Sequence, residues 1–312
     1  MQALIDVILP VFLVIGAGYL VAWRGLFDAG AVDGMMRFAQ TFAVPCLLFK
    51  SIAGLDLAGS YDTGLFLSFY IAAFASFGLG YLGARKGLKR PAPDCVAIGF
   101  ACLFSNSLLL GLPIMERAYG SAALAGNYAI ISIHAPLFYA FGITCMELAL
   151  HAGSAASPAA LAGKVGRAIL SQPLVLGILA GFAVNLSGQA LPGTLQAAVD
   201  MLASAAIPTA LFGLGGVLLR YKPEGDAKAI AMVCALSLIA HPGMTWLLGR
   251  YAFSLDVAQL RSAVITAAMA PGVNAYMFAN IYGVGKRVAA SSVLIATGLS
   301  IFTVWGWLHI LP

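Results

Sequence analysis

Runs of about twenty apolar residues are the feature that most constrains this chain, because each is long enough to cross a bilayer as a helix. Ten segments meet this criterion, and short connections separate them. Their approximate bounds are 3–23, 31–54, 62–84, 93–119, 127–151, 166–187, 193–221, 227–252, 257–283 and 287–311. Only 9% of the 312 residues are charged, against about 25% in a typical soluble domain. The sequence therefore predicts an all-α integral membrane protein with ten transmembrane helices.

The positions of lysine and arginine predict the orientation, since cytoplasmic loops carry an excess of these residues. An outside N-terminus places thirteen of the 17 at cytoplasmic ends and loops. The other four are Lys50, Arg117, Arg250 and Arg261. We therefore expect both termini outside, and the short loops and compact size favour a bacterial inner membrane. Because the basic side chains follow the membrane edges, the expected surroundings are the lipid bilayer and not nucleic acid.

A constant offset of 163 residues relates the two halves of the chain. This shift pairs Pro45 with Pro208. It also pairs Tyr119-Gly120 with Tyr282-Gly283 in a different segment. Helix-breaking residues that coincide at one offset in several segments predict an internal structural repeat.

Each half holds five predicted spans, and an odd number inverts the second copy relative to the first. We expect a first five-helix repeat at 1–151, a cytoplasmic linker at 152–165 and a second, inverted repeat at 166–312. In inverted-repeat transporters the substrate site lies near the bilayer midplane, where discontinuous helices of the two halves meet. Interrupted helices are therefore the places to search for a site.

The fourth segment contains three polar residues, Ser105, Asn106 and Ser107, followed by Gly111 and Pro113. Proline removes a backbone hydrogen bond from a helix, and lipid cannot satisfy the freed groups. If the helix unwinds here, free amides would suit a carboxylate, and the Asn106 side chain offers both a donor and an acceptor. The alternative is a kink whose polar groups bond back to their own helix. A second break in the other half favours the substrate-site interpretation.

The ninth segment supplies that second break. Pro271-Gly272 is expected to interrupt the helix, and Asn274 is then the counterpart of Asn106. Tyr276 offers a hydroxyl and an aromatic face to a substrate, although packing is an equally open role. Broken spans 4 and 9 are thus predicted to cross and to hold the substrate.

Two histidines lie inside predicted spans, His134 in the fifth and His241 in the eighth. A histidine changes charge near neutral pH and is therefore a candidate for proton coupling. The alternative is a neutral ring bonded to a backbone carbonyl. The few carboxylates lie close to helix ends, so a cation pump built on buried acids is not favoured.

Other chemistry is not signalled by the sequence. There is no phosphate-binding Gly-rich loop with lysine, and no zinc-protease or serine-hydrolase motif. The five cysteines lack metal-ligand spacing. We therefore expect neither an enzyme nor a protein with a metal or cofactor.

Three stretches resemble the auxin efflux carrier family, which includes plant auxin exporters and bacterial malonate and malate permeases. They are PheAlaValPro at 42–45, AsnSerLeuLeuLeuGlyLeuProIleMet at 106–115 with AlaTyrGly at 118–120, and PheAlaAsnIleTyrGly at 278–283. The resemblance implies two inverted five-helix repeats with crossing helices 4 and 9. It also implies a scaffold part and a transport part, elevator-like movement, frequent homodimers, and an organic anion held by Asn106.

The chain departs from the plant carriers at several positions. Leu48 stands where they have a serine, and Ala275 stands where their ninth-span proline falls. These changes argue for a smaller and more polar anion than auxin, such as malonate or malate. The function predicted from the sequence is secondary transport of small organic anions. A sodium-coupled organic anion symporter of the bile-acid type and a non-transporting membrane sensor with the same fold remain as alternatives.

Overall fold

The computed structural model describes residues 2–151 and 158–312, and the regular elements in these ranges are helices. In the first half they are α1 (Leu9–Trp23), α2 (Ala29–Phe38), α3 (Val44–Ala53), α4 (Leu57–Ser60), α5 (Thr63–Leu82), α6 (Ala92–Leu103), α7 (Leu112–Tyr119) and α8 (Ala125–Leu150). In the second half they are α9 (Pro158–Leu170), α10 (Pro173–Ser187), α11 (Gly193–Leu218), α12 (Ala227–Ala235), α13 (His241–Leu247), α14 (Val257–Ala267), α15 (Val273–Tyr282) and α16 (Lys286–Ile310). The expected nearly all-helical membrane protein is confirmed.

Six helices in the described ranges are long and apolar enough to cross a membrane without interruption. They are Leu4–Trp23, Thr63–Gly87, Ser121–Leu150, Gly193–Leu218, Ala227–Ala252 and Lys286–Ile310. Of the other predicted spans, the second is one continuous helix in which the wide π turn Ala39–Ala43 joins α2 to α3, and the fourth and ninth are interrupted. The expected sixth span at 166–187 is divided too, because α9 meets α10 at 79°. Gln172 precedes Pro173, and a residue before proline is pushed out of the helical conformation.

Four prolines lie within helical spans directly after a wide π turn. Pro45 follows the turn Ala39–Ala43, and Pro113 follows Ser107–Gly111. Proline has no N–H and clashes with the carbonyl one turn back, and a widened turn relieves both problems. Pro10 and Pro242 are accommodated in the same way. Within the stretch expected to unwind in the fourth span, the interruption lies at Phe104 to Asn106, and the helix continues through Gly111 and Pro113.

Two groups of helices make up the molecule. In the first, α1 packs on α11, and α3 packs on α10 and α11. We call this group, which also contains α2 and the turn 39–43, the glycine bundle. In the second, α5 packs on α6, α13 and α14, and α16 packs on α12 and α15. We call this group, with α7 and α8, the crossing bundle because it holds both interrupted helices.

The glycine bundle is close-packed through two matching contacts. A Cβ atom on Gly18 of α1 would collide with the backbone carbonyl of Phe212 in α11. A Cβ atom on Gly181 of α10 would lie 2.8 Å from the backbone oxygen of Phe49 in α3. Gly181 and Phe212 are each 163 residues after Gly18 and Phe49. The repeat in the sequence thus reappears as a reciprocal contact, in which only glycine allows the backbones to approach.

Asn185 closes one end of the glycine bundle. Its side-chain nitrogen donates to the carbonyl oxygens of Ile52 at 2.9 Å, Ala53 at 3.1 Å and Leu55 at 2.8 Å. The last carbonyls of a helix have no partner within it. Asn185 of α10 therefore satisfies the exposed end of α3 from a neighbouring helix.

Candidate functional site

The two interrupted helices meet at their breaks. The amide of Asn106 donates to the carbonyl of Ala270 at 2.8 Å, and the amide of Gly272 donates to the carbonyl of Phe104 at 2.9 Å. Ser105 and Pro271 face each other between these bonds as an isolated antiparallel bridge. Unwound backbone at membrane depth needs partners inside the protein. Here each break supplies the partners of the other.

Local sequence explains why the first helix opens at this point. Ser105 and Ser107 are linked by their hydroxyls at 2.8 Å, and the Ser107 hydroxyl also donates to the Ser105 carbonyl at 3.3 Å. Serine side chains that bond nearby backbone groups compete with the helical pattern. Phe104 and Asn106 accordingly have non-helical ψ angles of 82° and 55°.

Pro271 and Gly272 explain the second opening. Pro271 has no backbone donor and disfavours a helical Ala270 before it. Gly272 is extended, with φ −72° and ψ 160°, and the new helix begins at Val273. The predicted interruption at Pro271-Gly272 is confirmed.

A cavity of about 450 Å³ lies beside the paired breaks. This volume falls in the range of about 300–1,000 Å³ that is usual for small-molecule sites. The polar residues of its wall are Gln40, Ser105, Asn106, Ser107, His134, Tyr139, Lys164, Ser171, Gln172, Asn274 and Tyr282. Among the described wall residues the one charged side chain is that of Lys164, and the remaining surface is largely apolar.

Two helix N-termini border this cavity, one starting at Ser107 and the other at Val273. The first amides of a helix have no carbonyl partner within it, and this end carries partial positive charge. Such ends bind carboxylates and phosphates in many proteins. Two helix N-termini meet here, and none of the described residues in the cavity wall is acidic. The cavity is therefore suited to an anion.

The residues predicted to bind substrate divide into two sets in the structure. Ser105, Asn106, Ser107, Gly272 and Asn274 line the cavity. The other four lie outside the cavity wall, and they are Gly111, Pro113, Pro271 and Tyr276.

Packing explains the positions of this second set. Gly111 faces the Met269 side chain, which would lie 3.4 Å from a Cβ atom at this position. Tyr276 packs against Tyr221 with ring centroids 4.8 Å apart. Pro271 serves the bridge to Ser105.

Comparison with known proteins now identifies the family. The family model described as "Membrane transport protein" matches residues 3–308. The chain belongs to this family, the auxin efflux carriers. The resemblance seen in the sequence is thereby confirmed, and it extends over almost the whole chain.

Three relatives of this family member match along nearly its full length. A protein of Rhizobium meliloti (strain 1021) named "Putative malonate transporter" is 26% identical over 312 residues, covering 100% of this chain and 97% of that protein. An "Uncharacterized transporter" of Methanothermobacter thermautotrophicus is 25% identical and covers 96% of this chain and 97% of its own length. The "Lysosomal cholesterol signaling protein" of Mus musculus is 24% identical over 99% of this chain, but over 38% of its own length.

The two histidines of this family member both pack against one phenylalanine. The Phe69 ring centroid is 5.7 Å from that of His134 and 5.2 Å from that of His241. Both histidines are buried, and only His134 lines the cavity. No ring nitrogen of either forms a hydrogen bond of strict geometry with a described residue. The backbone of Ser105 nevertheless lies against the His134 ring and that of Phe69 against the His241 ring, in the positions of backbone partners.

Several wall residues were not found by sequence reasoning. Gln40 and Gln172 are polar residues in or beside apolar segments, and their polarity in that setting was the available signal. Lys164 was assigned only to the cytoplasmic linker at 152–165. It belongs to α9, and its ammonium nitrogen lies 2.5 Å from Oε1 of Glu147 in α8. Neither apolar periodicity nor spacing reveals that this helix folds back to the cavity.

Proposed function

We propose that this protein is a secondary active transporter of small organic anions, specifically dicarboxylates of the malonate or malate type. The observation that carries the proposal is the cavity of about 450 Å³ beside the crossing, bordered by two helix N-termini and by Asn106 and Asn274. The family match and the relatives named as transporters already support the more general conclusion that the protein is a membrane transporter. The relative named for malonate supports the choice of substrate.

Binding in this proposal uses fixed dipoles. One carboxylate of the substrate accepts hydrogen bonds from the amides at Ser107 and Val273 and from the side chains of Asn106 and Asn274. These donors are held by the crossing, so little is lost in ordering them when the anion arrives. Amide dipoles also bind an anion weakly enough to release it, which a carrier requires.

The proposed architecture is ten spans in two inverted repeats, at 1–151 and 166–312, joined by the linker 152–165. The reciprocal contacts of Gly18 with Phe212 and of Gly181 with Phe49 support it, because they repeat at the sequence offset of 163 residues. We place both termini outside a bacterial inner membrane on the distribution of lysine and arginine.

Transport is proposed to follow an elevator-like movement of the crossing bundle against the glycine bundle, in a homodimer. Gln40 and Val44 of the glycine bundle form part of the cavity wall, so sliding between the bundles would change access to the site. The membrane potential or a proton gradient supplies the energy, with His134 and His241 as candidate coupling groups. In the proposed orientation Lys164 and Gln172 mark the cytoplasmic side of the cavity.

Counterflow in proteoliposomes tests the proposal. Vesicles preloaded with malonate, malate or succinate should accumulate the labelled acid saturably, and protein-free vesicles should not. A pH gradient applied in either direction then tests proton coupling. Folded protein that exchanges none of the three acids would overturn the dicarboxylate proposal.

A membrane sensor is the second candidate, favoured by the match of 99% of this chain to a mouse protein named for signalling. Saturable binding of an acid without counterflow would favour that function. A sodium-coupled carrier is the third candidate, and exchange that requires sodium would identify it. No group of three or more acidic, histidine or cysteine side chains that could hold an ion occurs in the described residues.

A further inference from the structure

Lys164 is the charged residue of the cavity wall, and it is held in place by two neighbours. Its ammonium nitrogen lies 2.5 Å from Oε1 of Glu147 and 5.5 Å from the ring centroid of Tyr282. Tyr282 itself lines the cavity. The lysine therefore stands at the cavity with an internal carboxylate as its partner.

The environment of Glu147 explains this arrangement. Its side chain is 10% exposed near the end of α8, whereas the Lys164 side chain is 52% exposed. A carboxylate this deeply buried is costly unless a cation accompanies it. Of the described basic groups, only Lys164 and His151 are paired with Glu147, and Nδ1 of His151 is 3.7 Å from Oε2. Lys164 is thus the closer counter-ion, and it is the one that also reaches the cavity.

Three features make Lys164 able to serve a ligand as well. An ammonium group has three donor hydrogens, so one bond to Glu147 leaves others to be made. The half-exposed side chain retains freedom to turn towards the cavity. The helix that carries it, α9, meets α10 at 79° and contributes Ala168 and, just beyond its end, Ser171 to the same wall.

We infer that Lys164 selects for dicarboxylates by binding the second carboxylate of the substrate. In the empty carrier the Glu147 carboxylate takes the place of that substrate carboxylate as the partner of Lys164. This inference rests on the proposed function. The first carboxylate is held at the crossing, and the second competes with Glu147 for the donor hydrogens of the Lys164 ammonium group. A substrate with a single negative charge has no second carboxylate to compete in this way.

Malonate and malonamate test the inference, because malonamate replaces one carboxylate with an uncharged amide of nearly the same shape. The affinity of each is measured by inhibition of labelled malonate counterflow. Wild type should prefer malonate by about tenfold or more, as expected for a charge-assisted bond. Lys164→Gln should reduce that preference to about twofold or less, mainly by lowering the affinity for malonate. Lys164→Arg should retain most of the preference.

Glu147→Gln separates this role from a structural one. Without the internal carboxylate, Lys164 is free for the substrate, so malonate affinity should rise by a few-fold, opposite to the effect of Lys164→Gln. If the pair only anchored α9, the two variants would weaken transport alike for both ligands. Arg167→Gln, in the same helix and outside the cavity wall, is the matched control and should keep the wild-type preference.

The outcomes are distinct. Wild-type exchange of malonate with an unchanged preference in folded Lys164→Gln protein would overturn this inference and leave the proposed function standing. Absence of malonate exchange in wild type would overturn both.

Discussion

The backbone amide of Asn106 and the backbone carbonyl of Ala270 form a 2.8 Å hydrogen bond that ties the two interrupted helices together. The bond uses main-chain atoms, so the Asn106 side chain is left available to the cavity that it lines. Asn106 thus serves the fold through its backbone N–H and the candidate site through its side-chain carboxamide. This division makes the two roles separable by mutation.

Asn106→Ala should abolish counterflow while leaving the protein folded. Alanine keeps the N–H that bonds Ala270, but it removes the side-chain donor and acceptor from the anion site. We expect transport to fall below detection and the thermal unfolding midpoint in detergent to stay near that of wild type. Normal uptake by this variant would refute the site assignment.

Asn185→Ala should show the opposite pattern. This side chain donates to three carbonyl oxygens at the end of α3, and it is not part of the cavity wall. Its removal should lower the free energy of unfolding by about 1–3 kcal/mol, as for carbonyls that lose buried partners. Malonate affinity in the remaining folded protein should be unchanged, and a loss of affinity without a loss of stability would contradict the assignment.

Gly18→Ala should destabilise the glycine bundle. Its new methyl group would overlap the Phe212 carbonyl in α11, and the helices must separate to admit it. We expect the free energy of unfolding to fall by about 1–3 kcal/mol, as for other overpacked sites. Gly16→Ala is the matched control in the same helix, because nothing lies within 4 Å of its added Cβ. Equal stability of the two variants in thermal unfolding would show that the close approach does not matter.

The orientation can be tested with single cysteines in a variant whose five native cysteines are replaced. Lys86→Cys and Gln189→Cys are both exposed, and the proposed topology places them on opposite sides of the membrane. A membrane-impermeant maleimide should label Cys at 189 in intact cells and Cys at 86 only after permeabilisation. The reverse pattern would invert the topology.

Asp226, which lies outside the membrane-spanning segments, should make a pH-dependent contribution to the stability of the fold. The Arg90 guanidinium, 3.0 Å away, is the main cause that holds the pKa of this carboxyl below its usual value, and the amides of Lys228 and Ala229 add to it. A carboxyl whose pKa is lowered by folding stabilises the fold at pH values above its pKa in the unfolded chain, about 3.9 for aspartate. This stabilisation is lost as the pH falls through the pKa of the folded state.

Asp226→Asn tests this effect, since asparagine is an equally good helix cap but carries no charge. The variant should unfold more easily than wild type at pH 7. The difference should begin to shrink as the pH falls below about 4 and should disappear below the folded pKa of Asp226. Arg90→Gln should behave in the same way. A difference that is constant with pH would show that the charge of Asp226 is not involved.

Part of the site was accessible from sequence because it depends on local chemistry. Pro271 lacks a donor and restricts Ala270, so the ninth span had to open there. Pro113 has no comparable effect, because a π turn before a proline can accommodate it without interrupting the helix. The true opening near Asn106 depends on serine side chains that bond nearby backbone, and their effect competes with that of the proline.

Other members of the site were beyond sequence reasoning. Lys164 reaches the cavity because α9 bends by 79° from α10 and a buried carboxylate on α8 attracts it. Both causes involve residues that are distant in sequence or in another helix. The position of Tyr276 has a related cause, since it packs against Tyr221, which comes from outside its own helix.

The sequence by itself determined that this chain is a helical membrane protein, because lipid leaves helices as the way to satisfy backbone groups in long apolar segments. It also determined the family and the second break, which follow from local residues, and it predicted the repeat from one constant offset. Only the tertiary structure decided that the two breaks bond to each other, that Gly18 and Gly181 form reciprocal contacts, and that Lys164 faces the candidate site. These relations arise from packing between helices, and packing depends on three-dimensional neighbours that no local pattern specifies.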